Sequence, residues 1–281
     1  MPELPEVETT RLGLKPYLEG QIIQQVIVRD PRLRWPIPSN INKILPGQTV
    51  HVIERRGKYL LFKLDNGSLI IHLGMSGRLR IFSQPTVPQK HDHLDIKFCN
   101  QLILRFTDPR RFGACLWVEG DPLLHPLLKN LGVEPLQRQF TSKYLWQLAR
   151  NRKMPIKNFI MSANIVVGVG NIYANEALFA ARIHPARPAD NISLEEFNQL
   201  VIAVKAVLRQ AIAKGGTTLK DFFNSEGKAG YFVNQLQVYG RQGQACVDCG
   251  LRLKAMRIGQ RSSVYCPHCQ PLMTARRDGS G

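Results

Sequence analysis

The 281 residues carry 38 Lys+Arg against 21 Asp+Glu, a formal charge of +17 with a pI near 10.0. That length supports two domains with cores of their own, and so positive a field favours a polyanion, of which nucleic acid is the commonest. No apolar run approaches 18 residues and no signal-peptide pattern is present, so a membrane partner is set aside and a cytoplasmic protein is expected.

The chain opens Met1-Pro-Glu-Leu-Pro-Glu-Val-Glu8, with two prolines and three glutamates at the start of an otherwise basic protein. A small residue at position 2 permits removal of the initiator Met, which leaves Pro2 as a terminal secondary amine. Two interpretations stay open on local sequence. One is a helix start, with an early proline and carboxylates facing the helix dipole. The other is an amine nucleophile with an acid, Glu3, beside it. Thr9 to Leu18 continue the same helix.

From Ile22 the texture changes to short β-type runs. Tyr59-Leu-Leu-Phe-Lys-Leu64, Leu69-Ile-Ile-His-Leu73, Leu94-Asp-Ile-Lys-Phe98 and Leu102-Ile-Leu-Arg-Phe106 are the clearest. Asp65-Asn-Gly67 and Cys99-Asn-Gln101 stand between pairs of them as hairpin turns. Such a series predicts an antiparallel sandwich or barrel, ending between Gly132 and Leu136. Cys99 and Cys115 are expected as buried free thiols.

Four loops in this half concentrate polar or oddly placed residues. Arg55-Arg-Gly-Lys58 is a basic turn before a strand. Gly74-Met-Ser-Gly77 sets Met75 on a tight loop, either tucked into the core or exposed as an apolar wedge. Lys90-His-Asp-His93 lacks the further ligands a metal cluster needs. Asp108-Pro-Arg-Arg-Phe-Gly113 places guanidiniums beside an aromatic, a combination able to hold phosphates or enter a base stack.

Beyond about residue 150 the pattern is helical. Ser193-Leu-Glu-Glu196 forms a capping box, and Phe197, Leu200, Val201, Val204 and Leu208 follow one helical face up to Gly215-Gly216. Val167-Gly-Val-Gly-Asn171 runs into a helix at Ile172, and exposed amides there suit a phosphate, although locally an ordinary capped helix is the commoner reading. Gly-rich stretches at 215–218 and 225–230 bracket a connection that is either a loop closing over a ligand or a linker.

Cys246 and Cys249 are followed, after 16 intervening residues, by Cys266 and Cys269. Two Cys-x-x-Cys pairs at this separation supply four thiolates for one tetrahedral, structural Zn²⁺. Residues 241–281 carry seven Lys/Arg against two Asp, so the metal staples a basic surface from which Arg261 projects.

Taken together, the terminus, Gly57-Lys-Tyr-Leu60, His72-Leu-Gly-Met-Ser-Gly77, Asp108-Pro-Arg-Arg-Phe-Gly113, Gly168-Val-Gly-Asn-Ile-Tyr-Ala174, Gly215-Gly-Thr-Thr-Leu219, Val238-Tyr-Gly-Arg241 and the cysteine ribbon resemble the formamidopyrimidine-DNA glycosylase family. The matches run in order from residue 2 to about 270. The resemblance implies an α+β fold of two domains: an N-terminal antiparallel β-sandwich with flanking helices, then a helix-two-turn-helix module with a zinc-ribbon finger. The corresponding boundaries are 1–132, a linker at 133–150, 151–236, 237–273 and a flexible tail at 274–281.

The activity implied is that of a glycosylase/AP lyase removing 8-oxoguanine and formamidopyrimidines from damaged double-stranded DNA. The resemblance further implies a monomer with no nucleotide cofactor. By resemblance, Pro2 matches the Schiff-base nucleophile, Glu3 the catalytic acid, Lys58 the proton donor for β-elimination and Arg261 the arginine of δ-elimination and phosphate binding. Met75, Arg110 and Phe112 match the residues that fill the void left by the extruded base. His91, Lys153 and Asn171 match DNA-backbone contacts, with Arg110 also on the DNA. Residues 217–232 correspond to the loop over the flipped base. One departure is Met161-Ser-Ala-Asn164, where family members often carry Leu-Met-Asp-Gln; it is expected to alter packing or a surface contact and not the reaction. The rival within the fold is an endonuclease VIII-type enzyme for oxidised pyrimidines, although the terminus and the loop running to Tyr231 look more like the purine branch. The rival of another class is a non-catalytic zinc-ribbon DNA-binding protein, which gives no reason for Pro2 and Glu3 together.

Overall fold

The computed structural model describes residues 2–216 and 235–272, and the expected loop at 217–232 and tail at 274–281 lie outside them. The chain divides into two compact units. Among described residues, the first comprises 2–130 with 210–216 and the second 131–209 with 235–272.

Helix α1, Leu4–Leu18, opens the first unit, with Pro5 in its first turn where a backbone donor would have no partner anyway. Its apolar stripe, Leu4, Val7, Leu14 and Leu18, is buried at helical spacing. Eight strands follow in this unit: β1 Ile23–Val28, β2 Val52–Arg56, β3 Tyr59–Leu64, β4 Gly67–His72, β5 Arg78–Phe82, β6 Asp92–Phe98, β7 Ile103–Thr107 and β8 Ala114–Val118, with the short helix α2, Ile41–Ile44, between β1 and β2. They form two four-stranded antiparallel sheets, ordered β1-β6-β7-β5 and β2-β3-β4-β8. Of sandwich and barrel, the sandwich is what forms. Alternate residues of each sheet share one core: Ile53, Leu60, Phe62, Leu69 and Ile71 from one, Leu79, Leu94, Ile96, Leu104 and Phe106 from the other.

Leu61 and Ile70, paired on the opposite face of β3 and β4, are buried too. Cover on both faces explains why these strands read as continuous apolar runs. Within Lys90–His93, Asp92 and His93 serve structure. Asp92 accepts hydrogen bonds from Thr107 Oγ1 at 2.5 Å and the Gln89 amide at 2.7 Å, and His93 Nε2 meets the Asp108 carbonyl at 2.8 Å. Cys115 is buried, which pushes its thiol up to about 12 and leaves it inert. Cys99, expected buried, is exposed, because it sits in the β6–β7 turn instead of a strand.

In the second unit, residues 133–150, expected as a linker, include helix α3, Ser142–Ala149. Thr141 caps it by accepting the Tyr144 amide at 3.1 Å, Leu145 and Ala149 are buried, and the Tyr144 hydroxyl donates to the Ile165 carbonyl at 2.7 Å. Helices α4 (Ile156–Met161), α5 (Asn171–Ala180) and α6 (Leu194–Ala213) follow, the last reaching into the first unit's residues. The capping box before α6 forms as the sequence predicts: the Glu196 amide donates to Ser193 Oγ at 3.1 Å and the Ser193 amide to Glu196 Oε2 at 2.9 Å. The departure at 161–164 ends α4, and its Ala163 and Asn164 are exposed. The ribbon hairpin, β9 Lys254–Ile258 with β10 Arg261–Tyr265, shares a small core with Phe179 of α5.

Candidate active site and nucleic-acid contacts

In the first unit, Pro2, Glu3 and Glu6 are all buried at the start of α1. A capping box fixes the turn: the Glu3 amide donates to Glu6 Oε2 at 2.8 Å, and the Glu3 carboxylate receives the Glu6 amide. Glu6 also abuts Gly216. A Cβ built there would lie 3.0 Å from Glu6 Oε1, and the residue holds φ +81°, so glycine suits the position on both counts.

One turn further on, Glu8 accepts from Arg11 at 2.7 Å and from Arg55 Nε at 2.9 Å. Burial opposes its ionisation, but the hydrogen bonds and charges of Arg11 and Arg55 outweigh that and hold the carboxyl below its ordinary range. Arg55 Nη1 in turn donates to the Gly57 carbonyl at 3.0 Å. This relay fastens the helix that carries Pro2 and Glu3 to the two-residue turn that carries Lys58, whose sharpness rests on Gly57 at φ +58°.

Lys58 is half-buried, and the charge it carries is felt at His72. His72 faces Tyr59 across β3–β4 with ring centroids 4.7 Å apart, and its Nδ1 accepts the Gly74 amide at 3.0 Å. Burial, then the positive charges of Lys58 and Arg34, push His72 down to about 4. The ring is therefore neutral near pH 7, with Nδ1 occupied as acceptor and the proton on Nε2.

The loops carrying Met75 and Arg110–Phe112 lie side by side. Met75 is 38% exposed and Phe112 42%, so Met75 is an exposed apolar tip and not a core residue. The Arg110 guanidinium sits 4.9 Å from the Phe112 ring centroid. The fully buried Asp108 carboxylate organises both loops, accepting from Ser76 Oγ at 2.8 Å and from the Gly113 amide at 2.8 Å. His91 gives its carbonyl to the Asp108 amide at 3.0 Å, while its buried Nδ1 meets no hydrogen-bond partner among the described residues.

In the second unit, Asn171 is the first residue of α5, behind Gly170 as cap, and its buried Oδ1 likewise has no partner among the described residues. A buried polar atom of this kind calls for a partner from outside the described residues, such as water, an ion or a ligand. Lys153 is exposed and reaches Asp190 at 2.8 Å, an ion pair of the weak surface type. Arg261 is exposed at the hairpin tip.

The ligand atoms of Cys246, Cys249, Cys266 and Cys269 all lie within 4.8 Å of one another. Cys249 Sγ is 3.4 Å from Cys266 Sγ, and Cys246 Sγ is 3.9 Å from Cys269 Sγ. Zinc–thiolate bonds of about 2.3 Å imply tetrahedral edges of about 3.8 Å, so the four sulfurs fit one Zn²⁺ and close its coordination. The zinc is structural.

The residues that sequence reasoning missed are Glu6 and His72 in the first unit and Lys157, Asn175 and Glu176 in the second. His72 offered one signal, a lone polar side chain ending an apolar strand. The others became visible only through their tertiary partners.

Three family models match the chain: the formamidopyrimidine-DNA glycosylase N-terminal domain over residues 1–115, the formamidopyrimidine-DNA glycosylase H2TH domain over 131–223, and a zinc finger found in FPG and IleRS over 243–272. The formamidopyrimidine-DNA glycosylase of Legionella pneumophila subsp. pneumophila is 53% identical over 274 residues, 98% of this chain and 100% of that one. Among solved structures, the Lactococcus lactis protein with DNA containing an abasic site superposes with a TM-score of 0.89 at 34% identity, covering 96% of this chain and 99% of that one. The same protein with DNA containing N7-benzyl-Fapy-dG also gives a TM-score of 0.89 at 34% identity, covering 96% of this chain and 100% of that one. With matched domains across most of its length and a relative this similar from end to end, the chain belongs to the formamidopyrimidine-DNA glycosylase family.

Proposed function

We propose that this protein is a base-excision-repair glycosylase and AP lyase that removes oxidised purines, 8-oxoguanine and formamidopyrimidines, from duplex DNA in the cytoplasm. The observation that carries the reading is the buried first turn of α1, where Pro2 adjoins Glu3 and a capping box with Glu6 fixes the Glu3 amide and carboxylate. Cleaving an N-glycosidic bond in a duplex requires extruding the nucleotide, at a cost of a few kcal/mol. Met75, Arg110 and Phe112, grouped on two loops that share Asp108, occupy the void.

Once Met1 is removed, the Pro2 nitrogen attacks the sugar C1′ as the base departs with its bonding electron pair; the nitrogen then loses its proton, O4′ takes one up as the C1′–O4′ bond breaks, and the opened sugar is left as an iminium. An α-amino group ordinarily titrates at about 7.7–8.0, so a useful neutral fraction exists near pH 7, whereas a lysine at about 10.4 would need strong perturbation. Glu3 handles protons at the sugar during base loss. The iminium acidifies C2′, and loss of that proton expels the 3′ phosphate by β-elimination, with Lys58 supplying a proton. Arg261 supports the second elimination, and His91, Lys153 and Asn171 hold the backbone. The zinc keeps the ribbon folded and takes no part in the chemistry.

Borohydride trapping on 8-oxoguanine duplex tests the reading, run with the terminus free at Pro2 and with a tag retained before it. A covalent adduct with the free terminus alone supports it; full strand cleavage by the tagged protein refutes the nucleophile. Faster excision from thymine-glycol duplex would overturn the purine assignment.

A further inference from the structure

Asn175 lies one turn into α5 and is 1% exposed. Its two amide atoms bind different elements. Oδ1 accepts the amide of Val264, on the ribbon strand β10, at 2.9 Å, while Nδ2 donates to the carbonyl of Asn171 at 2.5 Å. One side chain therefore spans from the first residue of the helix to the strand that begins with Arg261.

Further contacts hold the same hairpin. Lys157, with no exposed surface, donates from Nζ to the Ser262 carbonyl at 2.9 Å and to Ser263 Oγ at 2.7 Å. Gly259 in the hairpin turn packs so closely on Asn158 that a Cβ there would lie 2.8 Å from Asn158 Nδ2. Glu176, next to Asn175, accepts the amides of Gln237, Val238 and Tyr239 at 2.8, 3.0 and 2.8 Å, fixing the segment that leads into the ribbon. Of these links, only that of Asn175 joins the hairpin directly to Asn171.

We propose that Asn175 is a positioning residue that sets Arg261 against Asn171, so that both engage the phosphodiester backbone of one bound DNA. The proposal rests on the DNA-contact roles proposed above for Arg261 and Asn171. A guanidinium at the tip of a loose hairpin would have to be ordered at every binding event, whereas one held through buried hydrogen bonds meets the phosphate already placed.

The test uses the full-length, zinc-loaded protein and a duplex bearing a tetrahydrofuran abasic analogue, with affinity measured by fluorescence anisotropy against salt concentration. Arg261→Ala should lower the slope of log K against log[salt] by about 0.9, as one lost phosphate contact requires. Asn175→Ala, which removes no charge, should lower it by a similar amount. The double variant should bind no more weakly than Arg261→Ala, because the two changes remove the same contact. Asn175→Asp keeps the acceptor for the Val264 amide but loses the donor to the Asn171 carbonyl, so it should lower the slope as Asn175→Ala does and add nothing to Arg261→Ala. An unchanged slope in Asn175→Ala, with losses that simply add to those of Arg261→Ala, overturns the proposal. If Asn175→Ala fails to retain zinc, Asn175→Asp decides: a lowered slope that adds nothing to Arg261→Ala supports the proposal, and a wild-type slope, or a loss that adds to that of Arg261→Ala, overturns it. An unchanged slope in Arg261→Ala itself would instead refute the role given to Arg261, and the positioning role with it.

Discussion

Asp108 Oδ1 accepts the hydroxyl of Ser76 at 2.8 Å, a bond across 32 residues that makes one rigid piece of two loops. The loops also touch through backbone: a Cβ at Gly74, which holds φ +63°, would lie 2.5 Å from the Gly113 nitrogen. Met75 and the Arg110–Phe112 pair, proposed to fill the void in the base stack, are therefore presented as a single shape. Asp108→Ala would strand the Ser76 hydroxyl and the Gly113 amide in a buried site. We expect a loss of about 2–4 kcal/mol in stability by urea unfolding. Excision of 8-oxoguanine should fall by up to about 100-fold from misplacement of the wedge. Wild-type excision by a folded Asp108→Ala protein would show that the shared carboxylate does not place the wedge.

The neutral His72 carries a pH signature. Burial and the neighbouring Lys58 and Arg34 charges depress its pKa from 6.5 to about 4 in the folded state. The unfolded chain therefore takes up the proton first as pH falls. The stability tied to a neutral His72 is complete above about pH 6.5 and drains away as pH approaches 4. The shift corresponds to at most about 3 kcal/mol. His72→Gln should flatten the stability curve across that window in urea titrations at stepped pH, and an identical curve in both proteins would rule the contribution out.

Zinc removal should reach further than the ribbon. Phe179 of α5 is packed in the same small core as Val238, Leu253, Val264 and the ligand cysteines, so loss of the metal exposes apolar surface on a helix outside the ribbon. Treatment with a strong chelator should weaken DNA binding by at least about 10-fold and lower the first thermal transition, both restored by adding Zn²⁺. Binding that persists in protein shown to be metal-free would count against a role for the ribbon.

Features that depend on local spacing were legible in the sequence: the Cys246–Cys269 ligand set, the capping box at Ser193–Glu196 and the hairpin at Asp65–Gly67. Each is specified by a handful of neighbouring residues whose geometry the backbone dictates. What escaped were partnerships across long separations. Nothing near Glu6 announces Gly216, nothing near Asn175 announces Val264, and the linker expected at 133–150 becomes part of a unit because Tyr144 finds Ile165. Cys99 shows the opposite error. Its apolar character suggested burial, but two polar neighbours, Asn100 and Gln101, put it in a turn, where Gln101 takes φ +68°.

The capping box between Glu3 and Glu6 has a further bearing on turnover. Chain ends ordinarily fray, yet the Glu3 amide is fixed to a buried carboxylate, and that amide shares a planar peptide unit with the carbonyl of Pro2. The residue proposed to react is thus a chain end with the restraint of an interior one. The loss of freedom needed to hold it still is met once, when the helix folds, and need not be met again each time a damaged base arrives.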